Sequence, residues 1–182
     1  MEWRREIEAA ASRIAGHVVR TPVIDTDALW SRSIALKLEQ MQHTGSFKAR
    51  GAFNTLSAVE VPEAGVVAAS GGNHGAAVAY AAQRLGHAAR IFVPEMAGPS
   101  KIALIERTGA DLTVVPGEYA DALARAQAYG DQTGAMSVHA YDAPLTVAGQ
   151  GTLMREWEAQ GLNADTVLIA VGGGGLIAGA MA

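Results

Sequence analysis

"GVVAASGGNHGAAVAYAAQRLGHAARIFVP" (Gly65–Pro94) decides the fold. It opens on a short apolar run at 65–70, turns through "GGNHG" at 71–75 and continues as an alanine-rich helix from about Asn73 to Leu85. Gly86 follows, a residue that ends helices at no Cβ cost, and "AARIFVP" (88–94) reads as a second strand. Strand, helix and strand in so short a span make a βαβ unit, whose two strands lie parallel.

The same rhythm continues outward. "GPSKIALIERTG" is a helix ending at Gly109, "DLTVVP" (111–116) a third strand, "EYADALARAQAYGDQTG" a third helix and "MSVHA" (136–140) a fourth strand. Upstream, "MEWRREIEAAASRIAG" sets Ile7, Ala10, Ala11 and Ile14 at helical spacing. "RTPVIDTDAL" is extended around Pro22, "SIALKLEQM" alternates like a strand, and after the turn "HTGS" a helix runs from about Phe47 to Val59. Downstream come the helix of "APLTVAGQGTLMREWEAQG" and then "ADTVLIAVGGGGLIAGAMA", an apolar strand running into four glycines and a helix. The alternation predicts an α/β fold with parallel sheets. An apolar strand of that kind needs cover on both faces, so the chain is expected to be part of a longer one or to meet its other half separately.

Composition narrows the partners. Across 182 residues, 49% apolar and 18% charged, a sizeable core is expected. A net charge of -4 offers no basic footprint, so neither nucleic acid nor a membrane is an expected partner and a small molecule is. The N-terminal helix is amphipathic, unlike a signal peptide, and no apolar run approaches the ~18 residues of a membrane span. With no cysteine there is no disulfide, thiolate metal site or cysteine nucleophile, which fits a cytoplasmic setting. His17, His43, His87 and His139 are dispersed, so no metal site is expected.

Three features carry chemistry. Gly172, Gly173, Gly174 and Gly175 let consecutive backbone N–H groups converge ahead of a helix, an arrangement that suits a phosphate. Gly173, Gly175 and Ala178 also satisfy a loose dinucleotide fingerprint, which alone is a weak signal. "SGGNHG" (70–75) follows a strand and opens a helix, so its N–H groups suit a carboxylate. The plainer alternative, Asn73 capping its helix and His74 exposed on the first turn, stands open on these residues alone. The third feature is Lys48 in "HTGSFKARG" (43–51), a lysine at a helix start, where the helix dipole and burial beside Phe47 both depress its pKa. Such an amine is the kind that forms Schiff bases. A phosphate nest, a carboxylate nest and that amine together suit a phosphorylated aldehyde cofactor and an amino-acid substrate.

The sequence here resembles the pyridoxal-phosphate enzymes of the tryptophan-synthase β-like fold, or fold type II, in the branch of threonine/serine dehydratases and serine racemases. The likeness rests on "TGSFKARGAFN" (44–54), "SGGNHGAAVAYAA" (70–82), "KIALIERTGA" (101–110), "AGQGT" (148–152) and "VGGGGLIAG" (171–179), which occur in the family's order. It implies two open parallel-sheet domains. A large one would span 1–62 and 142–182, incomplete in this chain, and a small one 63–141. It implies pyridoxal 5'-phosphate as cofactor, with Lys48 holding its aldehyde and acting as catalyst, and Phe47 packing on its ring. Asn73 would meet its phenolic oxygen, and Gly172, Gly173, Gly174, Gly175 and Leu176 its phosphate. Ser70, Gly71, Gly72 and His74 would receive the substrate carboxylate.

The implied activity is that of a threonine/serine ammonia-lyase acting on a small amino acid, in a homo-oligomer, dimer or tetramer, of the complete chain. Gly71 stands where racemases carry a serine, which favours elimination over racemisation. The alternatives are a serine racemase-like enzyme, or a ligand-binding or interaction fragment of such an enzyme.

Overall fold

The computed structural model describes residues 2–27 and 33–182, so the far end of the extended stretch expected at 20–29 lies outside the described residues. In chain order the first elements are α1 (Trp3–Arg13), β1 (Val23–Thr26), β2 (Ile34–Lys37), α2 (Lys48–Ala58), β3 (Val66–Ala69), α3 (Asn73–Leu85) and β4 (Ala89–Pro94). They are followed by α4 (Pro99–Glu106), β5 (Asp111–Val115), α5 (Tyr119–Thr133), β6 (Met136–Ser137), α6 (Pro144–Glu158) and α7 (Gly175–Met181). Strands β3 to β6 form a four-stranded parallel sheet in the order β5-β4-β3-β6, as the βαβ rhythm predicts. Strands β1 and β2 pair with each other as an antiparallel hairpin.

The parallel sheet is covered on both faces. Val66, Ala68, Ile91 and Val93 pack against the alanines of α3 and against Ile105 of α4. Val67, Ala69 and Phe92 point the other way, onto Ala122 and Ala126 of α5. This two-sided burial explains why β3 is apolar at every position instead of alternating. Each buried valine or isoleucine contributes about 1.5–3 kcal/mol. Gly86 ends α3 in the left-handed conformation at φ 79°, as its sequence position predicts.

The remaining helices stack beside this sheet, and "AGQGT" acts as a packing device on α6. A Cβ on Gly149 would sit 2.8 Å from the Gly51 Cα of α2, and one on Gly179 of α7 would sit 2.6 Å from the Gly151 nitrogen. Glycine at these crossings therefore lets α2 and α7 close directly on the α6 backbone. Gln150 lies between the two crossings.

Two expected strands differ. The fourth, read at 136–140, keeps only Met136–Ser137. Val138 still donates to the Val67 carbonyl at 3.1 Å, but His139 Nδ1 then accepts the N–H groups of Tyr141 and Asp142 at 3.3 and 2.9 Å and turns the chain out of the sheet. The apolar run at 164–171 forms no strand, and Leu168 and Val171 are 89% and 60% exposed. A strand exists only as part of a hydrogen-bonded ladder, and among the described residues none pairs with it. No helix among the described residues is long and apolar enough to cross a membrane.

Candidate active site

The sheet order reverses between β3 and β6: from β3 the chain builds outward through β4 and β5, then returns to add β6 on the other side. In open parallel sheets the crevice beyond the strand C-termini at such a reversal holds ligands, because loops diverge there and helix N-termini point into it. Here that crevice is bounded by Ser70–Gly72, leaving β3, and by residues 138–141, leaving β6.

Lys48 reaches it from the first turn of α2. Thr44 and Gly45 both take positive φ, 61° and 77°, and reverse the chain so that the helix starts at Lys48. Its Nζ donates to the Ala140 carbonyl at 2.5 Å and lies 5.2 Å from the centroid of the Phe47 ring. Burial pushes the amine below its ordinary range, and among the described residues no carboxylate pairs with it to oppose that. The neutral, nucleophilic form is thereby reached at a lower pH than in an ordinary lysine.

The 70–75 loop folds on itself through a bond from the Gly72 N–H to Ser70 Oγ at 3.2 Å. Asn73 is exposed at the first position of α3, where helix N–H groups lack internal acceptors. His74 is neither an exposed first-turn residue nor a charged partner for a carboxylate. It is 7% exposed, and its Nε2 donates to the Val138 carbonyl at 2.8 Å. Burial pushes its pKa down to about 4; the Val138 bond opposes this and the Lys48 charge adds to it. At neutral pH His74 is an uncharged imidazole tying α3 to the end of β6, so only its backbone remains for the loop.

Gly71 has no room for a side chain. A Cβ there would run into the Ala97 methyl and come within 3.3 Å of Val93 and Pro94. Gly71→Ser is expected to cost about 1–3 kcal/mol in urea unfolding as the loop or Ala97 gives way. Stability equal to wild type would show that this packing is slack.

The glycine run closes the crevice from the other side. Gly172 and Gly173 are exposed, and Gly174, at φ 88°, caps α7. Gly173 lies against the Tyr141 ring, and a Cβ on Gly175 would be 2.7 Å from both the Tyr141 carbonyl oxygen and Gln150 Oε1. Leu176 is half-buried in the first turn of α7. Residues 138–141 thus underlie all three features: Val138 holds His74, Ala140 holds Lys48, and Tyr141 backs the glycines. Ala140, Tyr141 and Gln150 are absent from the residues singled out in the sequence, although "AGQGT" contained the signal for the last.

These residues fit a phosphorylated aldehyde. The amine is half-buried and depressed in pKa, the exposed Gly172 and Gly173 lead into α7, and Tyr141 and Gln150 fill the space that side chains at Gly173 and Gly175 would need. One buried polar atom against the start of α7, Gln150 Oε1, has no partner among the described residues. Leaving such an atom unpaired costs about 1–3 kcal/mol, which is readily understood at a ligand site.

Known proteins share the sequence and architecture of this chain. The catabolic L-threonine dehydratase of Escherichia coli strain K12 is 36% identical over 179 residues, which make up 96% of this chain and 54% of that protein. The crystal structure of the T.th. threonine deaminase superposes with a TM-score of 0.90 at 41% identity, covering 96% of this chain and 58% of that one. Maize serine racemase gives a TM-score of 0.92 at 35% identity, covering 97% and 55%. The chain spans about half the length of the relatives it matches, and the shared architecture is that of the fold type II enzymes. The model of one family, described as pyridoxal-phosphate dependent enzyme, matches residues 14–182, from the end of α1 through α7 and with it every element that touches the crevice. It is to this family of pyridoxal-phosphate dependent enzymes that the chain belongs.

Proposed function

We propose that the full-length protein carrying this chain is a pyridoxal-phosphate-dependent ammonia-lyase that converts L-threonine or L-serine to a 2-oxo acid and ammonia. The observation that carries the reading is the Lys48 amine, half-buried, depressed in pKa and held at 2.5 Å by the Ala140 carbonyl in the switch-point crevice. When bound, pyridoxal phosphate supplies an aldehyde for amines and a ring that takes up the electron pair left by a departing proton.

In this reading the backbone N–H groups of Gly172, Gly173, Gly174, Gly175 and Leu176 hold the phosphate, Phe47 covers the ring, and Asn73 meets the phenolic oxygen. Ser70, Gly71, Gly72 and the His74 backbone receive the substrate carboxylate at the start of α3. That contact orients the substrate so that its Cα proton faces Lys48. The Lys48 amine, neutral at a lower pH than an ordinary lysine, removes that proton. Residues 63–141 act as a small domain that closes on the carboxylate and excludes water, while 1–62 and 142–182 belong to the cofactor-holding domain. The lack of room at Gly71 supports elimination over the racemase reading, which the likeness to maize serine racemase keeps in view.

The test uses the full-length protein. Borohydride with pyridoxal phosphate should modify Lys48, located by peptide mass, and L-threonine or L-serine should release ammonia. An unmodified Lys48, or no ammonia from either substrate, would sink the reading. The same reading sets the protein in the cytoplasm as a dimer or tetramer, which cell fractionation and light scattering check.

A further inference from the structure

The Ala140 carbonyl oxygen accepts from two donors, Lys48 Nζ at 2.5 Å and Gln150 Nε2 at 3.2 Å. Gln150 is 1% exposed, and its amide is oriented by that bond, since the reverse orientation would set two oxygens against each other. The amide oxygen then has no partner among the described residues and lies 2.7 Å from where a Cβ on Gly175 would sit. Gly149 and Gly151 on either side let α2 and α7 close on α6. One buried amide is thereby wedged between the helix that begins at Lys48 and the helix that begins at Gly175.

A purely structural residue at this position would be better served by an apolar side chain, which would leave no orphaned oxygen. We propose that Gln150 is a positioning residue for Lys48: its N–H fixes the Ala140 carbonyl that holds the amine, and its Oε1 stays open as an acceptor beside the glycine run. The proposal rests on the cofactor reading above. The other groups around Lys48 leave its amine free for this control. His74, on α3, interacts with it electrostatically but is a neutral imidazole at pH 7, and Arg50, on α2 itself, is engaged by Glu39 and Glu156.

The test follows borohydride trapping of pyridoxal phosphate at Lys48 against pH in the full-length protein, beside cofactor affinity by absorbance titration. Gln150→Glu puts a carboxylate next to the amine and should raise the pH midpoint of trapping by about one unit. Gln150→Met keeps the volume but loses the donor and should weaken cofactor binding about tenfold. Wild-type midpoint and affinity in these variants, even with lowered thermal stability, would make Gln150 a packing residue and overturn the proposal. If neither variant folds, the wild type decides. The Gln150 side-chain amide resonance should move on cofactor loading, because it shares its acceptor with the reacting amine, and a resonance that stays put overturns the proposal. A wild-type protein that never traps cofactor at Lys48 is a different result: it removes the cofactor reading and this proposal with it.

Discussion

Lys48→Ala is expected to end turnover of the full-length protein while leaving it folded. The lysine has two tasks in the proposed reaction, holding the cofactor's aldehyde and moving the Cα proton. Losing proton transfer alone lowers a rate by about 10²–10⁴-fold. Losing the attachment point comes on top, so residual ammonia release should fall below a thousandth of wild type, and borohydride should label nothing at position 48. The fold should hardly notice. Among the described residues Lys48 makes one side-chain hydrogen bond, to Ala140, and that carbonyl keeps Gln150 as a donor. One lost bond is worth about 0.5–1.5 kcal/mol, and removing a half-buried amine offsets part of it. A calorimetric midpoint near wild type beside absent turnover is the expected pair of results. Turnover that survives the substitution would take Lys48 out of the chemistry. In the wild type, activity should rise with pH and level off below the ordinary lysine range, because the base must be neutral and burial lowers its pKa.

How much of this was legible in the sequence depends on the range of the signal. The βαβ core was legible because its cues are local: an apolar run, Gly-Gly-Asn at a helix start, Gly86 at its end. Lys48 was legible for the same reason, since helix position and a neighbouring Phe47 predict a depressed amine. His74 was only half legible. Its place in the first turn follows from the pattern, but the side it faces depends on Val138, 64 residues away. The carbonyl that holds Lys48 is 92 residues away, and no periodicity announces it. The run at 164–171 failed for another reason. Apolarity records that a segment is suited to burial, but a strand also needs a neighbour, and pattern does not supply one. "AGQGT" sits between these cases: its glycines mark helix crossings, and only the crossings show why the residue between them is an amide.

Arg50→Met is expected to be the most destabilising single change near the site. Arg50 is 1% exposed and makes four bonds: Nε and Nη2 to Glu39 at 2.8 and 2.7 Å, and Nη1 and Nη2 to Glu156 at 3.0 and 3.1 Å. Lys37 completes the cluster through Glu156 Oε1 at 2.5 Å, Gln160 Oε1 at 2.7 Å and the Thr21 carbonyl at 2.8 Å. Two cations and two anions balance, so the cluster is tolerated out of water. Removing Arg50 leaves two largely buried carboxylates to one lysine, a defect that costs about 3–5 kcal/mol. Arg50→Lys should fall between, because an ammonium cannot bridge both carboxylates as the guanidinium fork does.

The loss should depend on pH in a fixed direction. Burial alone would raise the Glu156 pKa, but bonds to Arg50 and Lys37 outweigh it and hold it below the ordinary carboxylate value. A depressed carboxylate contributes stability above its unfolded pKa, and that contribution is lost as pH falls through the folded one. Without Arg50 the contribution is gone at neutral pH, and protonating Glu156 in acid relieves the unpaired charge. Urea unfolding of wild type and Arg50→Met should therefore differ most near pH 7 and converge as pH falls through the depressed folded pKa of Glu156, below the ordinary carboxylate range. A gap that stays constant across that range would mean packing of the guanidinium stem, and not its charge, anchors α2. Because Arg50 lies two residues beyond Lys48 on that helix, charge anchoring has a second consequence: Arg50→Lys, if folded, should bind cofactor more weakly although Arg50 never touches the crevice.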